Sequence, residues 1–442
     1  MRAARRLRGA VAIAMVAASV LLTGAAVDPT PSPTPTPPVA DDPSDPIRAA
    51  EYWLDGARVR EAWQTTRGKG VTIAVIDTGI AEVPAAFRGV VVDGTDVSGT
   101  GTPDGRTPVG TVDTDHGTWV GSIAAAKGAA DGTGMIGVAP EAELLSISVN
   151  FGATAAVPFT QQIADAMVWA VDHGADVINL SFTTNTLDWD ESWDDAFLYA
   201  YEHDVVVVVA AGNRGSGTDI VGAPATIPGV LTVGGVDQHG EASGEASTQG
   251  ITIGISAPSE GLIGVAADGA IVDWNGTSGA APIVAGIAAL VRSAHPDLDA
   301  NNVINRIIRT AIPVADTAQG PDPLYGYGLV DAAAAISAKV PTVSENPMGD
   351  LEEWIRLYRR AESGPRPEPT VTPVAIAPLP VAKGPTEPGS PLLPSSESLV
   401  YGTLPLVAVT LPGILVGLGV TAAARRIRSA RANRTRLHPD KE

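Results

Sequence analysis

Five stretches of this chain are nearly uninterrupted runs of β-branched and small apolar residues with no helical period. They are Val71–Ile76, Leu144–Val149, Val177–Leu180, Val205–Ala211 and Val230–Val236, each bounded by Gly, Asp or polar residues. Such runs mark strands buried on both faces, as in a parallel sheet covered by helices. Between and after them, Gln161–His173 and Ala280–Ala294 space their apolar residues three and four apart, which predicts helices. The alternation predicts an α/β fold of three layers, a mostly parallel sheet between helices.

The two ends follow other patterns. Residues 1–26 open with Arg2, Arg5, Arg6 and Arg8, continue apolar to Leu22 and close on small residues, the pattern of a secretory signal peptide. Residues 27–48 are Pro-rich and too short for a folded pro-domain, so folding is expected not to rely on one. One large α/β domain is expected over 49–338. Residues 339–398 hold a short amphipathic stretch from Asp350 and then a Pro-rich linker. Residues 399–424 carry no charge despite Pro405 and Pro412; about 26 residues at 1.5 Å each span a hydrocarbon core of roughly 30 Å. One C-terminal transmembrane helix is therefore expected. Arginines crowd residues 425–442, which places the tail in the cytoplasm and the domain outside.

Composition narrows the possibilities further. There is no cysteine among 442 residues, so an exported domain must rely on its core rather than disulfides. The net charge is −20, and the arginine clusters at the two ends leave a more strongly acidic middle that disfavours nucleic acid as a partner.

Three short strings carry the candidate chemistry. Asp77 follows the first apolar run in Ile-Asp-Thr-Gly, a carboxylate delivered at the C-terminal end of a strand, where open α/β sheets place their sites. His116 begins His-Gly-Thr ahead of small apolar residues that suggest a helix packed close on the sheet. Ser278 stands in Asn-Gly-Thr-Ser, a turn into a helix, with Pro282 placed in the first helical turn. A serine hydroxyl is a weak nucleophile unless a base takes its proton and a third group fixes that base's tautomer. Asn213, ending the Val205–Ala211 run after Gly212, adds a side-chain amide able to stabilise an oxyanion. A second Asp-Thr-Gly or Asp-Ser-Gly string, which an aspartic protease requires, does not occur. His173, His203, His239, His295 and His438 lack partner motifs and read as solvated residues at helix ends or loops. Trp63, Trp119, Trp169 and Trp193 are scattered and read as packing residues. The lone carboxylate of Asp131 among glycines is a poor oxygen cage, so no metal and no cofactor is expected.

In these strings the chain resembles the subtilisin-type serine proteases, the subtilases, over about residues 50 to 338. The resemblance implies that Asp77 orients His116, that His116 is the general base and acid, that Ser278 is the nucleophile, and that Asn213 and the Ser278 amide bind the oxyanion. It also implies a protein or peptide substrate bound beside Ser181 and Phe182 on one strand and Ala210, Ala211 and Gly212 on the other. Departures from the family pattern are Gly279, where a bulkier Met or Phe is usual, Gly121 for alanine, and Thr183 and Thr184 for glycine. Gly279 is expected to leave a void or a looser helix start, and Thr183 to narrow the pocket or disturb backbone pairing. The order of signal peptide, protease domain, proline spacer, membrane span and basic tail resembles the mycosins, membrane-anchored proteases of type VII secretion. That likeness implies secretion-complex subunits as partners, and leaves open a structural subunit with little turnover.

Overall fold

The computed structural model describes residues 44–111, 113–151, 155–314, 321–359 and 404–436. The expected signal peptide, most of the N-terminal Pro-rich segment, the Pro-rich linker and the last tail residues lie outside them, as does His438.

A seven-stranded, all-parallel sheet forms the middle layer, in the order β2-β3-β1-β4-β5-β6-β7. Its strands are β1 (Thr72–Asp77), β2 (Val91–Asp96), β3 (Glu143–Ser148), β4 (Val177–Leu180), β5 (Val206–Ala210), β6 (Leu231–Val236) and β7 (Ile253–Pro258). The period of two along β5 explains the unbroken apolar run. Val206 and Val208 join the core on one face, Val207 and Val209 the core on the other, and each such burial is worth about 1.5–3 kcal/mol. β8 (Leu262–Val265) and β9 (Ile271–Trp274) form a separate antiparallel hairpin.

One face of the sheet is covered by α5 (Phe159–Asp172) and α6 (Ser192–Glu202), through Ile163, Met167, Trp193 and Phe197. The other carries α4 (His116–Ala125) and α7 (Thr277–Ala294), backed by α8 (Ala300–Arg309) and α9 (Ala332–Ser337). α7 starts at Thr277, so Pro282 stands in the second turn rather than the first. An NH at 282 would have bonded the carbonyl of Ser278, four residues back. That carbonyl instead accepts the Ser181 hydroxyl at 2.8 Å, so the proline frees an acceptor that ties α7 to the end of β4.

Three short helices, α1 (Pro46–Ala50), α2 (Trp53–Gly56) and α3 (Val59–Ala62), precede the sheet. They are fastened along their length. Glu51 Oε1 accepts the Ile136 NH at 2.7 Å, Tyr52 OH donates to the Glu260 carbonyl at 2.6 Å, and Arg58 pairs with Asp331 at 2.6 Å. After the domain, α10 (Leu351–Tyr358) packs on α6, its Trp354 ring 4.4 Å from that of Trp189. Among the described residues two helices are long and apolar enough to cross a membrane. In α7, 83% of that window is buried in the core; in α11 (Leu404–Arg436) the window Leu406–Ser429 is 0% buried. α11 is thus the candidate span and α7 a core helix. It runs on through Arg425, Arg426 and Arg428 without a break.

Candidate active site

The chain reverses its lateral progress across the sheet at β1, which lies between β3 and β4, and the crevice above such a point is where α/β sheets bind ligands. Asp77 closes β1 there, fully buried. Its Oδ1 accepts the Thr78 NH at 2.7 Å, and His116 Nδ1 lies 2.8 Å from Oδ1 and 3.0 Å from Oδ2. With Nδ1 protonated toward the carboxylate, Nε2 keeps its lone pair for the cavity. His116 is the first residue of α4, and the turn is locked to β1 by the Gly117 NH, which donates to Thr78 Oγ1 at 2.8 Å. Glycine is required at 117, because a Cβ would sit 2.7 Å from the Gly79 carbonyl oxygen. Burial of the imidazole opposes its protonation, yet the charge and hydrogen bond of Asp77, with Asp113 adding, hold it above the ordinary histidine range.

Ser278 is the second residue of α7, so its NH is among those without an intrahelical partner. It shares with His116 and Asn213 the wall of one cavity of about 380 Å³. Among the described residues no hydrogen bond joins its hydroxyl to the imidazole; such contacts commonly tighten only around substrate.

Thr277 emerges from the structure as a residue the sequence did not single out. Fully buried, it donates its hydroxyl to Asn213 Oδ1 at 3.0 Å and its NH to the same oxygen at 2.8 Å, and accepts the Gly212 NH at 2.9 Å. These bonds fix which end of the Asn213 amide is oxygen and leave Nδ2, the donor, without a partner among the described residues. Asn179 holds Ser181 in turn, donating to its hydroxyl at 2.9 Å.

The rest of the cavity is built from the ends of β4 and β5. Phe182, Thr183, Ala210 and Gly212 line it with Ser181. Phe182 also packs against Phe151 and Phe159 at 5.2 and 5.6 Å between ring centroids. Ala211 is placed elsewhere, its side chain in the core beneath α5 and α6, as alternation along β5 demands. Thr183 closes one end. Its methyl lies 2.7 Å from where a Cβ on Gly212 would fall, and its hydroxyl donates to the Gly222 carbonyl at 2.8 Å.

No void stands behind the nucleophile, contrary to the expectation for Gly279. Leu262 Cδ1 already occupies the place a Cβ at 279 would take, with the Trp274 ring 3.3 Å from it. Gly121 is similarly filled from outside, by Ile80 Cδ1 at 2.8 Å. The other described histidines are not part of the cavity wall. His173, His203 and His295 follow the ends of α5, α6 and α7 and bond backbone carbonyls. Asp131 is exposed and bonded to Thr133. Among the described residues no group of three or more His, Asp or Glu is arranged to hold a metal ion.

Comparison with known proteins gives a consistent picture. The model of the subtilase family matches residues 68–328. Mycosin-4 of Mycobacterium tuberculosis is 33% identical over 361 residues, covering 72% of this chain and 76% of that protein. The crystal structure of MycP1 from Mycobacterium smegmatis is matched at 30% identity and a TM-score of 0.57, over 70% of this chain and 90% of the other. The MycP3 protease from the type VII (ESX-3) secretion system is matched at 32% identity and a TM-score of 0.55, over 69% and 90% respectively.

Proposed function

Because the chain belongs to the subtilase family and is a subtilisin-type serine endopeptidase related to the mycosins, we propose that Asp77, His116 and Ser278 carry its chemistry. The observation that carries this reading is the buried Asp77 carboxylate bonded to Nδ1 of His116, which shares the wall of one cavity with Ser278. Ser278 Oγ attacks the scissile carbonyl carbon as its proton passes to His116 Nε2, and Asp77 stabilises the imidazolium. The negative charge on the former carbonyl oxygen is met by Asn213 Nδ2 and the Ser278 NH. Collapse breaks the C–N bond, the amine leaves with the proton from His116, and water then hydrolyses the acyl-enzyme by the reverse proton path. A substrate strand running between Ser181-Phe182 and Ala210-Gly212 extends the sheet locally, and the narrowed pocket favours a small or medium apolar side chain.

A fluorophosphonate probe, applied to the full chain in detergent, tests this. Label is expected on the peptide containing Ser278, and folded protein that takes up none would end the assignment. Thr277→Val, which removes the hydroxyl bond to Asn213 Oδ1 and leaves the amide held by the residue 277 NH alone, is expected to lower turnover about ten-fold or more with KM little changed; initial rates on a quenched peptide measure it. The raised imidazole sets the acid limb of kcat/KM, because activity is lost as pH falls through the His116 pKa and the base becomes protonated. Asp113→Asn removes one charge that favours protonation, so a pH–rate profile should show its limb displaced to lower pH.

The same reading anchors the chain in a membrane by α11, with the arginines of its last turns in the cytoplasm and the peptidase domain on the far side. By its likeness to the MycP proteases it acts beside the subunits of a type VII secretion complex. Protease protection of tagged termini in intact cells and spheroplasts checks the orientation; co-purification of secretion subunits with the tagged chain checks the association.

A further inference from the structure

The β8–β9 hairpin touches both turns that bear the reacting groups. Toward α4, the Ala267 NH donates to Asp115 Oδ2 at 2.9 Å, one residue before His116, and the Val265 NH donates to Ser122 Oγ at 3.1 Å. Toward the nucleophile, the Gly261 NH donates to Asn275 Oδ1 at 2.6 Å, and the Gly276 NH to the Ser259 carbonyl at 2.7 Å. Trp274, the last residue of β9, lies four residues before Ser278 in the chain and meets the His116 ring edge to face, 5.7 Å between centroids at 78°. Trp119 stands 6.0 Å from the same ring and 5.6 Å from Trp274. Both tryptophans crowd Gly264 of β8, where a Cβ would approach Trp119 Cβ to 2.8 Å and Trp274 Nε1 to 3.0 Å.

We propose that this hairpin sets the spacing between imidazole and hydroxyl, with Trp274 as a positioning residue for His116 and, together with Leu262, as the packing behind the nucleophile that residue 279 does not supply. Asp77 bonds the ring at Nδ1 and fixes one point of it; an aromatic edge against the ring limits rotation about that point, which a single hydrogen bond leaves free. Leu262 and Trp274 fill the space beside Gly279, so the first turn of α7 is held from the hairpin. The two halves of the site are thus fastened to one rigid element, and a shift of either by about 1 Å is enough to cost some 10²-fold in rate.

The inference rests on the roles given above to His116 and Ser278, and its test separates the two. The second-order rate of fluorophosphonate labelling and kcat and KM on a quenched peptide are measured for the full chain and its variants, with thermal melting alongside. Trp274→Ala is expected to lower kcat and the labelling rate roughly 10- to 100-fold with KM nearly unchanged, and Trp274→Phe to recover most of that loss. Gly279→Met, which collides with Leu262, should cost activity on its own, and Leu262→Ala with Gly279→Met should recover it. This pair also decides the matter if Trp274→Ala does not fold. Labelling of Trp274→Ala at the rate of the unaltered chain, or free acceptance of Gly279→Met, overturns the positioning role while leaving the triad intact. An unaltered chain that is folded and never labelled overturns both.

Discussion

Ser278→Ala is expected to lower peptidase turnover by about six orders of magnitude, the loss established when the nucleophile of a subtilisin-type triad is removed. The change should cost little stability. It is the Ser278 carbonyl, not its hydroxyl, that ties α7 to Ser181, and the alanine variant retains it. Asn213, Thr277 and the NH groups at the start of α7 remain in place, so about 10³-fold or more over the uncatalysed rate should survive. Active-site titration of the unaltered chain, followed by turnover of both proteins on one peptide at matched melting temperature, gives the number. Equal turnover of the two would place the nucleophile elsewhere.

Asp77→Asn is expected to lower kcat about 10⁴-fold, as it does in triads where the same exchange is known. The reason lies in the proton inventory of the site. The Thr78 NH keeps the amide oxygen of an asparagine at the Oδ1 position, so its NH₂ takes the place of Oδ2, 3.0 Å from the ring Nδ1. That makes His116 Nδ1 the acceptor and moves the ring proton to Nε2, where it blocks the transfer from Ser278. The fold should persist, since the amide replaces a buried charge with a group of the same shape and strands no opposite charge. Nitrogen-15 shifts of the imidazole report the tautomer directly. A variant with the proton still on Nδ1 and turnover intact would contradict the assignment of Asp77 as orienter.

The layers were legible because a strand covered on both sides has no polar face to maintain. Val206–Ala210 and Thr72–Asp77 are buried almost throughout, and their sequence says so without reference to any partner. The strings holding Asp77, His116, Ser278 and Asn213 were legible for a related reason, since each side chain sits at an element's end among small residues that permit close approach. What escaped was the work of residues whose partners lie far off in the chain. Trp119 read as packing, and its neighbour in the site is Trp274, which no local pattern distinguishes from any exposed-edge aromatic. The Thr277 hydroxyl looks interchangeable until Asn213 and Gly212 are brought beside it. Gly279 was misjudged on the same ground. A missing side chain implies a hole only if no other segment supplies the atoms, and here Leu262 supplies them.

An endopeptidase is always surrounded by copies of itself, and every slack stretch of backbone is food. Cleavage needs a stretch of chain to lift off and lie extended, so the free energy of local opening, rather than sequence alone, decides which bonds are cut. The segment from Pro46 to Ala62 would be the natural first victim, short-helixed and peripheral. Its Trp53 and Leu54 are wholly buried, and the Ala332 NH bonds the Ala57 carbonyl at 2.9 Å. Beside that bond Arg58 reaches Asp331, so the domain's leading and trailing strands of chain are knotted to each other. Lifting this segment into an extended, cleavable form must first break both ties.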